Sequence, residues 1–241
     1  MNMLSQAKIA ELPDDLASLP RHRRMSDDAA VALAKRAVPF DFVSVSGFDL
    51  GSYKVGNFNS VTSSFPPAFV EAYAGEKLYL NDPMVLVGKD GADVVTEESV
   101  AGRYEMPQRL AYLLRTFRIS RRIAFFLRRS GHNYGSVVFA RDGAPFGADE
   151  AEYLGMIATP LHERLTRPLL DRFGPQIVGL LDGEVECIRL AGQGMTSEEI
   201  AFASRFTRET VDSYLKSATK KLQARNRAHA IAIAIRHRLI D

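Results

Sequence analysis

Val211, Leu215, Ala218 and Leu222 fall at i, i+4, i+7 and i+11, a spacing that lines them along one stripe of an α-helix. The other side of that helix is polar, carrying Arg208, Asp212, Ser213, Lys216 and Lys220. Thr207, just before it, is an N-cap. Upstream, Thr196 or Ser197 caps a shorter helix with Glu198 and Glu199 in its first turn, and Arg205-Phe206 make a tight turn between the two. Two helices so joined, the second capped and polar outward, fit a helix-turn-helix whose second helix enters the major groove. A preceding helix, Glu184 to Gly192, presents Val185, Ile188 and Ala191 on one face. A fourth, from Arg227, has Ala230, Ile231, Ala234 and Ile235 as its apolar side.

Charge agrees with that reading. From Arg205 to the end there are nine basic residues and three acids, a net of +6, whereas the whole chain is only +2, so the remaining residues sum to −4. A basic end on an acidic body is the electrostatic footprint of nucleic-acid binding. Thr207, Lys220, Lys221 and Arg225 stand where phosphates pass, and Lys216 can donate to guanine. Asp212 either accepts from cytosine N4 or repels phosphate. The apolar fraction of 46% and charged fraction of 25% exclude a disordered chain. The longest apolar runs fall short of a membrane span, and the first 24 residues lack the pattern of a secretory signal. With a single cysteine, Cys187, there is no intrachain disulfide, and a reducing cytoplasm is the expected setting. The five histidines are scattered, so neither a catalytic constellation nor a metal site is expected.

Along the rest of the chain, residues 1–24 read as an arm bearing Arg21, His22, Arg23 and Arg24, and Ser26 reads as the cap of a helix stopped at Pro39. Phe40 to Phe48 is a strand, residues 49–64 a loop or short edge strand, and Pro66 to Lys77 and Gln108 to Thr116 are helices. Ile123–Arg128 and Tyr134–Arg141 are hairpin strands, joined through Arg129-Ser130-Gly131-His132-Asn133. Asp149 to Leu165 is a long helix with a kink expected at Pro160. Pro168, Gly174 and Pro175 mark a linker. The expected fold is α+β: an N-terminal α/β/α sandwich around an antiparallel sheet (1–167), a linker (168–178), and a C-terminal four-helix helix-turn-helix domain (179–241).

Phe65, Phe69 and Tyr73 recur at i, i+4 and i+8, and Asp82 precedes Pro83. An aromatic row of this kind is either core or the wall of a ligand cage; a carboxylate beside it needs a donor.

Two resemblances extend these readings. Glu184, Ile188, Gly194, Ile200-Ala201, Thr207, Thr210-Val211, Lys221-Leu222, Arg227 and Ala230 stand at the spacings of the LuxR-type DNA-binding domain, which implies a four-helix unit acting as a dimer. Glycine is frequent in that family at the turn where Arg205 stands; a left-handed conformation there is costly for arginine, so the turn is expected to differ slightly. The stretch Phe65-Pro66-Pro67-Ala68-Phe69-Val70-Glu71-Ala72-Tyr73, followed by Asp82-Pro83-Met84-Val85, resembles the autoinducer-binding domain of LuxR-type quorum-sensing regulators. In that family a tryptophan holds the lactone carbonyl, an aspartate takes the acyl amide hydrogen, and tyrosines line the pocket. The resemblance therefore implies Phe65, Phe69, Tyr73, Asp82 and Val85 as ligand-binding residues, with Asp82 the amide acceptor.

The departures have chemical content. Phe69 replaces the tryptophan and has no N–H to donate, and Phe65 lacks a hydroxyl. A further family aromatic falls near Glu97, and Arg118 and Arg122 stand where the family has glycines, cations expected to fill or reshape the pocket. The implied ligand is an acyl-homoserine lactone, another small amphiphile, or none; no cofactor is expected. The implied function is sequence-specific regulation of transcription by a dimer on double-stranded DNA. Ala230, Ile231, Ala234 and Ile235 are its dimerisation residues, and Thr207, Arg208, Asp212, Ser213, Lys216, Lys220, Lys221 and Arg225 its DNA-facing set. The alternative is an interaction protein that heterodimerises with a related regulator and binds DNA weakly.

Overall fold

The structure is a computed structural model and describes residues 28–48, 60–129 and 131–240. The arm with Arg21 to Arg24 and the cap at Ser26 lie outside these residues. The chain forms two compact units, one ending at Leu165 and the other beginning at Thr166.

In the first unit, helix α1 (Ala29–Ala37) is capped by Asp28, whose carboxylate accepts from Ala30 N–H at 2.8 Å. Strand β1 (Phe42–Ser46) follows, then β2 (Ser60–Ser63), α2 (Pro67–Gly75), a 3-10 turn at Leu78–Leu80, α3 (Pro83–Lys89), β3 (Val94–Thr96) and α4 (Glu97–Val100). Helix α5 (Gln108–Thr116) leads into the hairpin strands β4 (Arg121–Arg129) and β5 (His132–Arg141). Arg129 pairs with His132 and Arg128 with Asn133, so the strand pairing extends into the five-residue segment read as the connection. The five strands form one antiparallel sheet in the order β2-β1-β5-β4-β3.

Side chains alternate across a strand, and both faces here are covered. Val43, Val45, Ile123, Phe125, Val137 and Phe139 point to one side, where α1 supplies Val31, Ala34 and Val38. Helix α6 (Ala148–Val178), whose first part belongs to this unit, supplies Leu154, Ala158 and Leu161 to the same core. On the other side, Leu110, Leu113 and Leu114 of α5 pack with Phe65, Phe69 and Ala140, and Met84, Val95 and Val100 pack with Ala124 and Phe126. Strand β4 is buried on both faces, which accounts for its nearly unbroken apolar run.

The expected linker is a correction. Residues 168–178 lie within α6, which continues through Pro160, Pro168 and Pro175. An interior proline removes one backbone donor and crowds the carbonyl of the preceding turn; the helix nevertheless continues, and an Arg167–Asp171 pair at 3.1 Å braces this stretch.

The second unit is helical: α7 (Asp182–Gly192), α8 (Ser197–Ala203), α9 (Arg208–Lys221) and α10 (Arg227–Arg236). Thr196 caps α8 reciprocally with Glu199. Thr207 caps α9 and Asn226 caps α10. The stripe Val211, Leu215, Ala218 and Leu222 is buried against Cys187, Ile188 and Ile200. Arg205 is not among the residues with positive φ, so the turn between α8 and α9 is built without a left-handed arginine.

Candidate functional site: a cavity on the sheet and an exposed basic helix

The first unit has a partly open cavity of about 220 Å³ on the face of the sheet opposite α1. One water needs only about 10–15 Å³ of such space, so the cavity admits a small organic molecule. Its lining includes all five expected ligand residues, Phe65, Phe69, Tyr73, Asp82 and Val85.

The wall is an aromatic ladder. Phe65 lies just before α2, and its ring stacks on Phe69 at 5.6 Å, which stacks on Tyr73 at 5.6 Å. Phe42 extends the ladder behind Phe65 at 5.3 Å. The floor is made of small side chains: Ala124 on β4, Ser136 and Val138 on β5, and Ser44 and Ser46 on β1. Ser46 Oγ and Ser136 Oγ share a hydrogen bond of 2.6 Å. Phe126 also lines the cavity, and a Cβ on Gly88 would come within 2.1 Å of its ring. Glycine there lets α3 lie close against that ring.

The polar end is a buried charge network. Asp82 is 1% exposed and Arg122 is 5% exposed. Asp82 caps α3, its Oδ1 accepting from Met84 N–H at 3.1 Å. Its Oδ2 accepts from the Tyr73 hydroxyl at 2.8 Å. Arg122 grips the same carboxylate end-on, Nη1 to Oδ2 at 2.6 Å and Nη2 to Oδ1 at 3.3 Å. On its other edge it holds Glu97, Nε to Oε2 at 2.7 Å and Nη2 to Oε1 at 3.1 Å. Burial opposes charge on Arg122, but the carboxylates of Asp82 and Glu97 outweigh it and push its pKa up further. Burial, and then the carboxylate of Asp82, raise the Tyr73 hydroxyl well above its ordinary value.

Two departures noted in the sequence thus meet in space. Arg122 and Glu97, which replace a family glycine and lie near the position of a family aromatic, form one ion pair at the cavity. Arg118 is a correction: it does not line the cavity. It sits at a turn with φ of 58° and reaches Asp142 at 2.8 Å, with 82% of its side chain exposed. Glu97 was noticeable only as an odd residue at a family position, because its partner lies 25 residues away.

In the second unit, Thr207, Arg208, Asp212, Ser213, Lys216, Lys220 and Arg225 are exposed. Arg208 is held by Glu198 at 2.8 Å and lies 4.0 Å from Asp212. The Thr207 side chain accepts from Thr210 N–H as the helix cap. Lys221 departs from its expected phosphate role. Its Nζ donates to Oε2 of Glu184 at 2.7 Å, and Glu184 is 1% exposed. Burial disfavours the Glu184 carboxylate, but hydrogen bonds from Lys221, Ser217 and the Leu181 N–H outweigh it, so the group titrates below the usual range. Ala230 and Ala234 are likewise corrected: at 1% and 0% exposure they belong to the module's own core. Of the four expected dimerisation residues, Ile235 is exposed and Ile231 half-buried.

Among the described residues there is no group of three His, Cys, Asp or Glu side chains placed to hold a metal ion. No described helix is long and apolar enough to cross a membrane.

Comparison with known proteins places both units. Residues 28–165 match the family model of the autoinducer binding domain, and residues 180–234 match that of the luxR family of bacterial regulatory proteins. The transcriptional activator protein AhyR of Aeromonas hydrophila is 26% identical over 177 residues, covering 69% of this chain and 68% of AhyR. The transcriptional activator protein BjaR1 of Bradyrhizobium diazoefficiens is 43% identical over 58 residues, 24% of each chain. The chain thus spans about a quarter of the length of BjaR1 in that match. Among solved structures, Escherichia coli SdiA aligns with a TM-score of 0.46 at 21% identity, covering 87% of this chain and 89% of that one. With one family model covering more than half of the chain and a second covering its helical end, the protein belongs to the luxR family of bacterial regulatory proteins that carry an autoinducer binding domain.

Proposed function

We infer that this regulator acts in the cytoplasm as a homodimer, reading duplex DNA through α9 while the cavity of its first unit holds a small amphiphile. The observation that carries the DNA reading is the division of α9. One side, Val211, Leu215 and Ala218, is sealed in the core, while Ser213, Lys216 and Lys220 stand exposed on a helix with a capped N-terminus. A helix so held presents a rigid polar face of groove-compatible size. Lys216 is the base-reading candidate; Arg208, Lys220 and Arg225 are phosphate contacts, which position without specifying. Asp212 lies beside Arg208 and tempers its charge. Ile231 and Ile235 are the dimerisation candidates of α10.

The cavity supports the sensory half of the reading. It is mostly apolar, with a few converging polar groups, as small-molecule sites are. A mobility-shift titration against promoter fragments tests the DNA-binding half. Selective retention of some fragments, lost in Lys216→Ala, is expected; equal retention of every fragment contradicts it.

A further inference from the structure

Asp82 has no hydrogen-bonding capacity left for a ligand. An ionised carboxylate offers about four lone-pair sites, and this one fills four. Met84 N–H and Arg122 Nη2 take Oδ1, and the Tyr73 hydroxyl and Arg122 Nη1 take Oδ2. All four donors belong to the protein. A ligand N–H directed at Asp82 has to displace Tyr73 or Arg122, or remain without a partner.

What the cavity offers instead is donors. Arg122 has five N–H bonds, and four are engaged by the two carboxylates. The fifth, on Nη1, has no acceptor among the described residues, and Arg122 lines the cavity. The Ser46–Ser136 pair adds another. Two hydroxyls carry two protons, and only one proton lies between the oxygens. The second has no other acceptor among the described residues. Register fixes the spacing. Arg122 pairs with Ala140, four residues along β5 from Ser136, and at about 3.3 Å per residue these backbone positions lie roughly 13 Å apart. Between them the surface is Ala124, Val138 and the rings of Phe65 and Phe69.

We propose that the cavity is selective for an apolar molecule whose polar groups accept hydrogen bonds and carry no N–H, an ester or ketone class, held by Arg122 at one end and the serine pair at the other. The proposal rests on the reading that the cavity holds a small amphiphile, and it makes Arg122 the residue that decides which one.

The test is a matched pair of probes, N-octanoyl homoserine lactone and the octanoyl ester of 2-hydroxy-γ-butyrolactone, which differ only by NH against O. Each is titrated calorimetrically into the full-length protein, made in a host without lactone synthesis. An unpartnered buried donor weakens binding by about 5- to 150-fold, so the wild type binds the ester more tightly by a factor in that range. Tyr73→Phe returns one lone pair on Oδ2 and narrows or reverses the ratio. Equal or tighter binding of the amide by the wild type, or an unchanged ratio in Tyr73→Phe, overturns the selectivity while leaving ligand binding in place. Binding of neither probe overturns it together with the sensory reading. If Tyr73→Phe fails to fold, the wild-type ratio alone decides.

Discussion

Lys221 Nζ lies 2.7 Å from Oε2 of the buried Glu184, tying the last turn of α9 to the first turn of α7. A lysine that reads as a phosphate contact in the sequence is a brace within the fold. Lys221→Ala leaves Glu184 buried without its cation, and hydrogen bonds to charged groups contribute about 1.5–3 kcal/mol. The expected result is a loss of about that size in stability of the second unit, measured by urea denaturation. The salt dependence of DNA binding by the folded fraction is expected to stay unchanged.

Lys220 is the contrasting case. It is exposed, and its ammonium group has no hydrogen bond or ion pair among the described residues. Each phosphate contact adds about 0.9 to the slope of log affinity against log salt. Lys220→Ala should lower that slope by about one while leaving the urea midpoint in place. A shifted midpoint with an unchanged slope would assign Lys220 to the fold instead.

Glu184 also predicts a pH response. Its carboxyl is held below the ordinary range, so its folded pKa lies under the unfolded value of about 4.3. The stabilisation is therefore complete above the unfolded pKa and is lost as pH falls through the folded one. Glu184→Gln should remove that acid-side loss, seen as a flatter dependence of melting temperature on pH below about 4.3.

Tyr73 gives the opposite sign. Its hydroxyl is raised by burial and by Asp82, so folding favours the neutral form. The contribution is present below the unfolded pKa of about 10 and fades as pH rises toward the folded value. Alkaline denaturation of Tyr73→Phe should lack this component, and a wild-type tyrosinate titration should leave one phenol protonated until the first unit unfolds.

How much of this was legible in the sequence depends on range. The stripe of α9 and its Thr207 cap are encoded within a dozen residues and the structure places them as read, while the cap of α8, read as Thr196 or Ser197, is Thr196. The hairpin strands and the aromatic ladder were equally local. Two features were missed because their causes are not local. The three prolines between 160 and 175 read as a kink and a linker, since each removes a backbone donor and crowds the preceding turn, yet α6 continues through them. Ala230 and Ala234 read as a surface seam because an apolar helix face does not reveal whether its partner is another chain or the module's own core. The Arg122–Asp82–Glu97 network lies between these cases. Arg122 and Glu97 stood out as departures and Asp82 as a match to the family motif, but only the pairing of β4 with β3, which brings Ile123 opposite Thr96, places Arg122 and Glu97 together.

The account depends on the exposed face of α9 reading sequence as a symmetric pair. Selection of bound duplexes from a random pool, followed by sequencing, tests this most directly. The predicted result is an enriched pattern of two inverted half-sites centred about one helical turn apart, absent with Lys216→Ala. A pool that emerges unenriched, with every duplex bound alike, would contradict it.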